Sequence, residues 1–236
     1  MSAIGTPTSS RRADQPRAGR AHLALLLLAF SAGAADAFAF LALGGIFTAN
    51  MTGNLVLIGM FSRPQFGTTL VGASVALVFF VGVLYAAFRV TVGANDSPSG
   101  TSGRVVARLL VPSLIAQFVA SAIWIVVPNT TGLALHLVVI ALSSGSLALQ
   151  TVAAKKLSDI SGITTTYVTG TLTTTMQELA ERKSAGQGLR VLSVVALPIG
   201  AIAGTATLLL ASAAGPVLPL VVAAIATILL WSARAR

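Results

Sequence analysis

The chain has no cysteine, so neither a disulfide nor a thiolate metal site can form, and the redox compartment is left undetermined. Charge is scarce as well. Only 9% of the 236 residues are Asp, Glu, Lys or Arg, whereas an ordinary soluble domain carries about 25%. Two histidines, His22 and His136, cannot make a zinc-type cluster without cysteine or nearby acids. A nucleophile elbow, a phosphate-binding Gly loop ending in Lys and a dinucleotide fingerprint are all missing. Neither enzyme activity, nor a metal, nor a cofactor is therefore expected.

Long apolar runs are what the chain does have. Hydrophobic residues make up 55% of it, and the mean hydropathy is +0.89. Six runs approach the roughly 20 residues that cross a bilayer core: 21–43, 68–90, 108–127, 133–154, 189–211 and 216–231. A signal peptide is the alternative for the first, since Arg17 and Arg20 precede Leu23 to Phe30. The apolar character continues to Leu43, longer than a typical signal, which favours a retained span. The net charge of +9 raises the question of nucleic acid. The basic residues sit at span ends and tails and form no patch on a soluble fold, so a nucleic-acid partner is not expected and the partner is the lipid bilayer. Residues 1–20, rich in Ser, Pro, Arg and Gly, read as a disordered basic tail.

Lys and Arg in short loops mark the cytoplasmic side. Arg11, Arg12, Arg17 and Arg20 place the N-terminus inside. Arg89, Arg104 and Arg108 place the loop at 91–107 inside, and so do Lys155, Lys156, Arg182, Lys183 and Arg190 for the fourth connection. Arg234 and Arg236 place the C-terminus inside, while the connections near 128–131 and 213–215 carry no charge and fit the outside. Arg63 is discordant, a lone positive charge in an expected external segment. The expectation is a multi-pass protein of the inner (plasma) membrane with both termini cytoplasmic.

One polar string recurs. Thr48-Ala49-Asn50-Met51-Thr52-Gly53-Asn54-Leu55 shares its Thr, Thr-Gly and Leu positions with Thr165-Thr166-Tyr167-Val168-Thr169-Gly170-Thr171-Leu172. The upstream flanks also match, Ala29-Phe30-Ser31-Ala32-Gly33 against Ala141-Leu142-Ser143-Ser144-Gly145. In hydrocarbon, irregular polar backbone survives only when buried in protein or lining a wet cavity. Two such breaks in corresponding halves point to a mid-membrane binding site. The chain thus divides into a tail (1–20), a first three-span repeat (21–127) and a second (128–236). By the charge rule the two breaks enter from opposite faces. The predicted fold is all-α: six spans in two inverted repeats with two broken or re-entrant segments.

Asp36 is the single acid inside an apolar span, where a carboxylate costs about 2.5 to 3.5 kcal/mol on insertion scales. It could carry protons, or it could accept hydrogen bonds that lock two helices together. Asn50, Thr52 and Asn54 offer amide and hydroxyl groups to a polar solute, and Gly53 allows close backbone approach. A half-helix starting near Thr52 would favour an anionic group; the plainer reading is that Thr and Asn cap a helix start. Thr48, Tyr167, Thr169, Gly170 and Thr171 complete the candidate set for a substrate or ion. Gln117, Gln150 and His136 read as single interhelical hydrogen bonds. Trp124 and Trp231 read as interfacial anchors, and Gly72, Gly82, Gly200 and Gly204 as points of close helix approach.

The strings Gly33-Ala34-Ala35-Asp36-Ala37, Phe40-Leu41, Gly44 and Phe47-Thr48-Ala49-Asn50-Met51-Thr52-Gly53-Asn54 resemble the YoaK-like family of bacterial membrane proteins, domain of unknown function 1275. The resemblance covers roughly residues 20 to 232. It implies a polytopic inner-membrane protein of about six spans and carries no substrate or reaction. A transporter or channel for a small solute or ion, with proton coupling through Asp36 as one option, is the first functional expectation. A non-transporting membrane scaffold or assembly partner is the second, and an intramembrane enzyme the third, for want of a nucleophile–base pair. Oligomers are compatible with either of the first two.

Overall fold

Runs of Leu, Val, Ala and Ile long enough to cross a bilayer must satisfy their own backbone, and the helix does so within each segment. The computed structural model describes residues 10–92, 101–127, 132–161, 173, 176–177, 180–181 and 187–232. Its principal elements are α1 (Ser10–Ala42), α2 (Met51–Gly59), α3 (Phe66–Thr91), α4 (Thr101–Val126), α5 (Leu133–Ser161), α6 (Gln187–Leu210), a 3-10 turn (Ser212–Ala214) and α7 (Val217–Ser232). Among the described residues there is no strand. Six segments are long and apolar enough to cross a membrane: Gly19–Ala42, Phe66–Thr91, Arg108–Val126, Leu133–Leu157, Gly188–Leu210 and Ser212–Ser232. They match the six expected runs to within a few residues. The tail expected to be disordered differs, because α1 is already helical at Ser10.

Packing is inverted relative to a water-soluble bundle. The buried positions are largely Ala, Gly, Ser and Thr, including Ala34, Ala73, Ala120, Ala148 and Ala226 at 1% exposure or less. Large side chains such as Val78, Ile115, Phe118, Ile202, Leu210 and Ile228 point outward. Small residues let backbones approach where lipid gives no hydrophobic drive between helices. The α1–α6 interface is the clearest case. A Cβ on Gly33 would run into the Leu197 carbonyl, and one on Gly200 into the Phe30 carbonyl. One on Gly204 would lie 2.7 Å from the Ala34 carbonyl oxygen. Gly82, by contrast, faces open space.

Spans consecutive in sequence alternate in direction, and the α1–α6 and α3–α5 pairs run parallel. Arg20 at the start of the apolar part of α1 donates to the Ser232 carbonyl at the end of α7, and Ser31 donates to the Pro219 carbonyl further along. Trp124 near the end of α4 donates from Nε1 to the Ser212 carbonyl just before α7. Ser113 of α4 meets Ser146 of α5 at 2.9 Å. The end of α1, the start of α3, the end of α4 and the start of α7 therefore share one end of the bundle, with α2. The extensive interfaces are α1 with α6, α3 with α5, α4 with α5 and α1 with α7, with smaller ones between α1 and α5 and between α4 and α7. Exchanging α1 with α5, α3 with α6 and α4 with α7 maps this set of interfaces onto itself.

Candidate functional site

After α1 the chain reverses at Gly44 and Gly45, whose φ values of 91° and 74° lie in the left-handed region that glycine tolerates. Thr69 Oγ1 donates to the Gly44 carbonyl at 3.1 Å, and Arg63 Nη1 to the Gly45 carbonyl at 3.4 Å. The Arg63 guanidinium also lies 5.6 Å from the Phe40 ring centroid. The discordant cation thus binds the Gly45 carbonyl and the Phe40 ring at the turn. From there residues 46–50 run back alongside α1. Ile46, fully buried, packs near Gly72 of α3 beside Ile140 of α5.

This return brings the strand of backbone before α2 to Asp36. The Thr48 and Ala49 N–H groups donate to Asp36 Oδ1 at 2.8 and 2.7 Å. The Asn50 N–H donates to Oδ2 at 3.1 Å, and Thr48 Oγ1 donates to Oδ1 at 3.4 Å. A straight helix would hold Asp36 and Asn50 about 21 Å apart. The carboxylate is 8% exposed and Thr48 1%. The anionic group that the start of α2 attracts is therefore Asp36 itself, supplied by the protein.

The other residues of the string divide by task. Asn50 caps α2, its side-chain oxygen accepting from the Gly53 N–H at 3.0 Å. Asn54 is fully buried and brackets Phe47: its oxygen accepts from the Phe47 N–H at 2.9 Å and its amide donates to the Phe47 carbonyl at 2.7 Å. Gly53 is helical, and its lack of a side chain admits the Phe47 ring, whose Cδ2 would lie 2.7 Å from an added Cβ. Phe47 in turn stacks on Phe40. Thr52 is exposed, and it too lies within α2. The helix break thus spans residues 43–50, and Thr52, Gly53 and Asn54 form the first turn of the half-helix. Tyr167, Thr169, Gly170 and Thr171 lie outside the described residues.

Beside this segment is a cavity of about 100 Å³. Its walls are Leu25, Leu28, Ala29 and Ala32 of α1, Ala49 of the return strand, Leu147, Gln150, Thr151 and Ala154 of α5, and Ser193, Val194 and Leu197 of α6. Gln150 belongs to a buried polar cluster between α4 and α5. Ser146 Oγ donates to the Ser113 carbonyl at 2.9 Å, and Gln150 Nε2 donates to Ser113 Oγ at 3.1 Å and to Ser146 Oγ at 3.4 Å. Gln150 Oε1 is buried without a hydrogen-bond partner. Sequence reasoning gave Gln150 a single interhelical bond and did not single out Ser113, Thr151 or Ser193. The available signal was the stripe Ser143, Ser146, Gln150, whose spacing of three and four places all three on one helix face. Among the described residues no group of three or more His, Cys, Asp and Glu could hold a metal ion.

Comparison with known proteins agrees with this architecture. Residues 24–230 match the family model described as protein of unknown function (DUF1275). The UPF0700 transmembrane protein YoaK of Bacillus subtilis (strain 168) is 34% identical over 159 residues, 67% of each chain. No solved structure matches. With its six apolar helices the chain is a multi-pass membrane protein, and it belongs to the YoaK-like DUF1275 family.

Proposed function

We propose that this protein moves a small solute across the inner membrane, binding it in the cavity between α1, α5 and α6. One observation carries the reading: a re-entrant strand and half-helix, pinned on Asp36, place Ala49 on the wall of that cavity. Irregular backbone next to a space with a few polar groups inside a bundle is where membrane carriers and channels hold their solutes. The exchange symmetry of the helix interfaces supports two inverted three-span repeats. Orientation follows from charge. Among the described residues, every Lys and Arg except Arg63 lies at the end of the bundle away from α2, so that end and both termini face the cytoplasm. Asp36 takes the role of anchor in this mechanism: all four of its contacts are donors from the return strand, and it is not on the cavity wall.

The test is solute flux in proteoliposomes holding the purified full chain. Uptake above that of empty vesicles, blocked by Ala29→Leu in the cavity wall, is the expected result. The scaffold reading has its own support in the glycine-mediated α1–α6 contact, which holds two helices too close for a path between them. Absence of flux for every solute tried, with the fold intact, would favour it.

A further inference from the structure

Among the described wall residues the side-chain hydroxyls present only acceptors, and the reason lies in where their protons go. Thr151 Oγ1 donates to the Leu147 carbonyl at 2.9 Å, and Ser193 Oγ donates to the Arg190 carbonyl at 2.8 Å. Each hydroxyl proton is thus committed to its own helix, and only oxygen lone pairs remain. The Ala49 N–H is committed to Asp36. Gln150 is held the same way round. Ser146 spends its proton on the Ser113 carbonyl, which leaves Ser113 to donate across the 2.9 Å hydroxyl contact, so toward Gln150 both serine oxygens can only accept. The Gln150 amide supplies the donor, which turns Nε2 toward the serines and leaves Oε1 enclosed by protein without a partner. Pro198 adds to the pattern, because it lacks the N–H that would hold the carbonyl of Val194, another wall residue. Among the described wall residues there is no basic side chain and no uncommitted side-chain donor.

A buried acceptor left without a donor is costly, by about 1 to 3 kcal/mol. An anion or a solute that only accepts would bring such acceptors to walls whose described side chains have no donor to give, whereas a donor meets the Thr151 and Ser193 oxygens. Resting on the transport reading above, we propose that the cavity selects small solutes that donate hydrogen bonds and carry no negative charge, such as an ammonium-type cation or a small hydroxylated molecule. Its size suits a solute of a few heavy atoms; a water molecule takes about 30 Å³ of liquid volume. The remaining walls, Leu25, Leu28, Leu147 and Leu197, offer apolar surface to whatever carbon the solute bears.

Binding separates this inference from the transport reading. The full chain in lipid nanodiscs is equilibrated with radiolabelled methylammonium, glycerol, tetramethylammonium or acetate. Methylammonium or glycerol should bind at one site per chain; methylammonium alone assigns a cation site and glycerol alone a neutral one. Tetramethylammonium, which has the charge and no donor, and acetate, which has no donor when ionised, should not bind. Thr151→Val removes one acceptor at nearly constant shape and should weaken binding at least fivefold, and Ala29→Leu should abolish it. Thr151→Val and Ala29→Leu decide the matter, because Gln150→Leu strips two buried serines of their donor. Binding of acetate or tetramethylammonium as tight as that of the donors would overturn the proposal. So would failure of both donors to bind, or donor binding indifferent to Thr151→Val and Ala29→Leu. Donor binding without flux would retain the site and remove transport, and flux confined to anions would do the reverse.

Discussion

At the scale of single residues, Asp36 and Asn54 tie down backbone, and their side chains are used up in doing so. Asp36→Ala would leave the Thr48, Ala49 and Asn50 N–H groups without their acceptor. At about 1 to 3 kcal/mol for each unsatisfied group, we expect a loss of several kcal/mol, read as a lower midpoint of thermal unfolding in detergent. Asp36→Asn replaces one acceptor oxygen by a donor aimed at other donors, and should destabilise in the same direction. Should it instead leave stability intact and abolish only a proton-dependent component of flux, the carboxyl group is a proton carrier and its anchoring role is secondary. A milder change probes the Phe47 seat. Gly53→Ala puts a methyl group 2.7 Å from the ring, so we expect about 1 to 3 kcal/mol of overpacking cost, measured by the same melting curves.

Among the secondary elements, α2 and the α1–α6 pair matter most. α2 has only nine residues, too short to hold itself as an isolated helix in water. It persists because Asn50 caps it, Asn54 ties its first turn to Phe47, and its side packs on α3. The α1–α6 contact depends on the absence of side chains at Gly33, Gly200 and Gly204. Gly200→Leu would drive a side chain into the Phe30 backbone, which cannot yield as a flexible side chain would. The expected outcome is failure to recover a monodisperse protein after detergent extraction. Gly82→Leu, at a site with open space around it, should be recovered as well as the parent and serves as the control.

For the molecule as a whole, the segregation of charge predicts its orientation. The α2–α3 turn carries Phe61, 80% exposed, and Arg63, while Lys155 and Lys156 lie at the opposite end. In this cysteine-free chain, Phe61→Cys should react with an impermeant maleimide from outside the cell, and Lys155→Cys only after the membrane is opened. External labelling of Lys155→Cys would end the inverted-repeat reading, since the break that follows α5 would then enter from the same side as the first.

The number, length and ends of the spans could be read from the sequence because they depend on local properties: an apolar run either reaches across about 30 Å of hydrocarbon or it does not. The same is true of the helix break near Thr48, which polar and glycine residues mark whatever surrounds them, and of the candidate acid, since one carboxylate in an apolar run is conspicuous in one dimension. What each of these residues does was decided by distance across the fold. Asp36 became an anchor because two glycines turn the chain back and bring three N–H groups within 3.1 Å of it. Arg63 ceased to be an anomaly because the same turn offers it a carbonyl and a ring. Gln150 gained its importance from Ser113, a residue 37 positions away on another helix, whose contact fixes which way the amide faces. Hydropathy sums over neighbours in sequence, whereas the satisfaction of a hydrogen bond depends on neighbours in space. The polar groups that hold this bundle together and line its cavity took their roles only when the helices were packed.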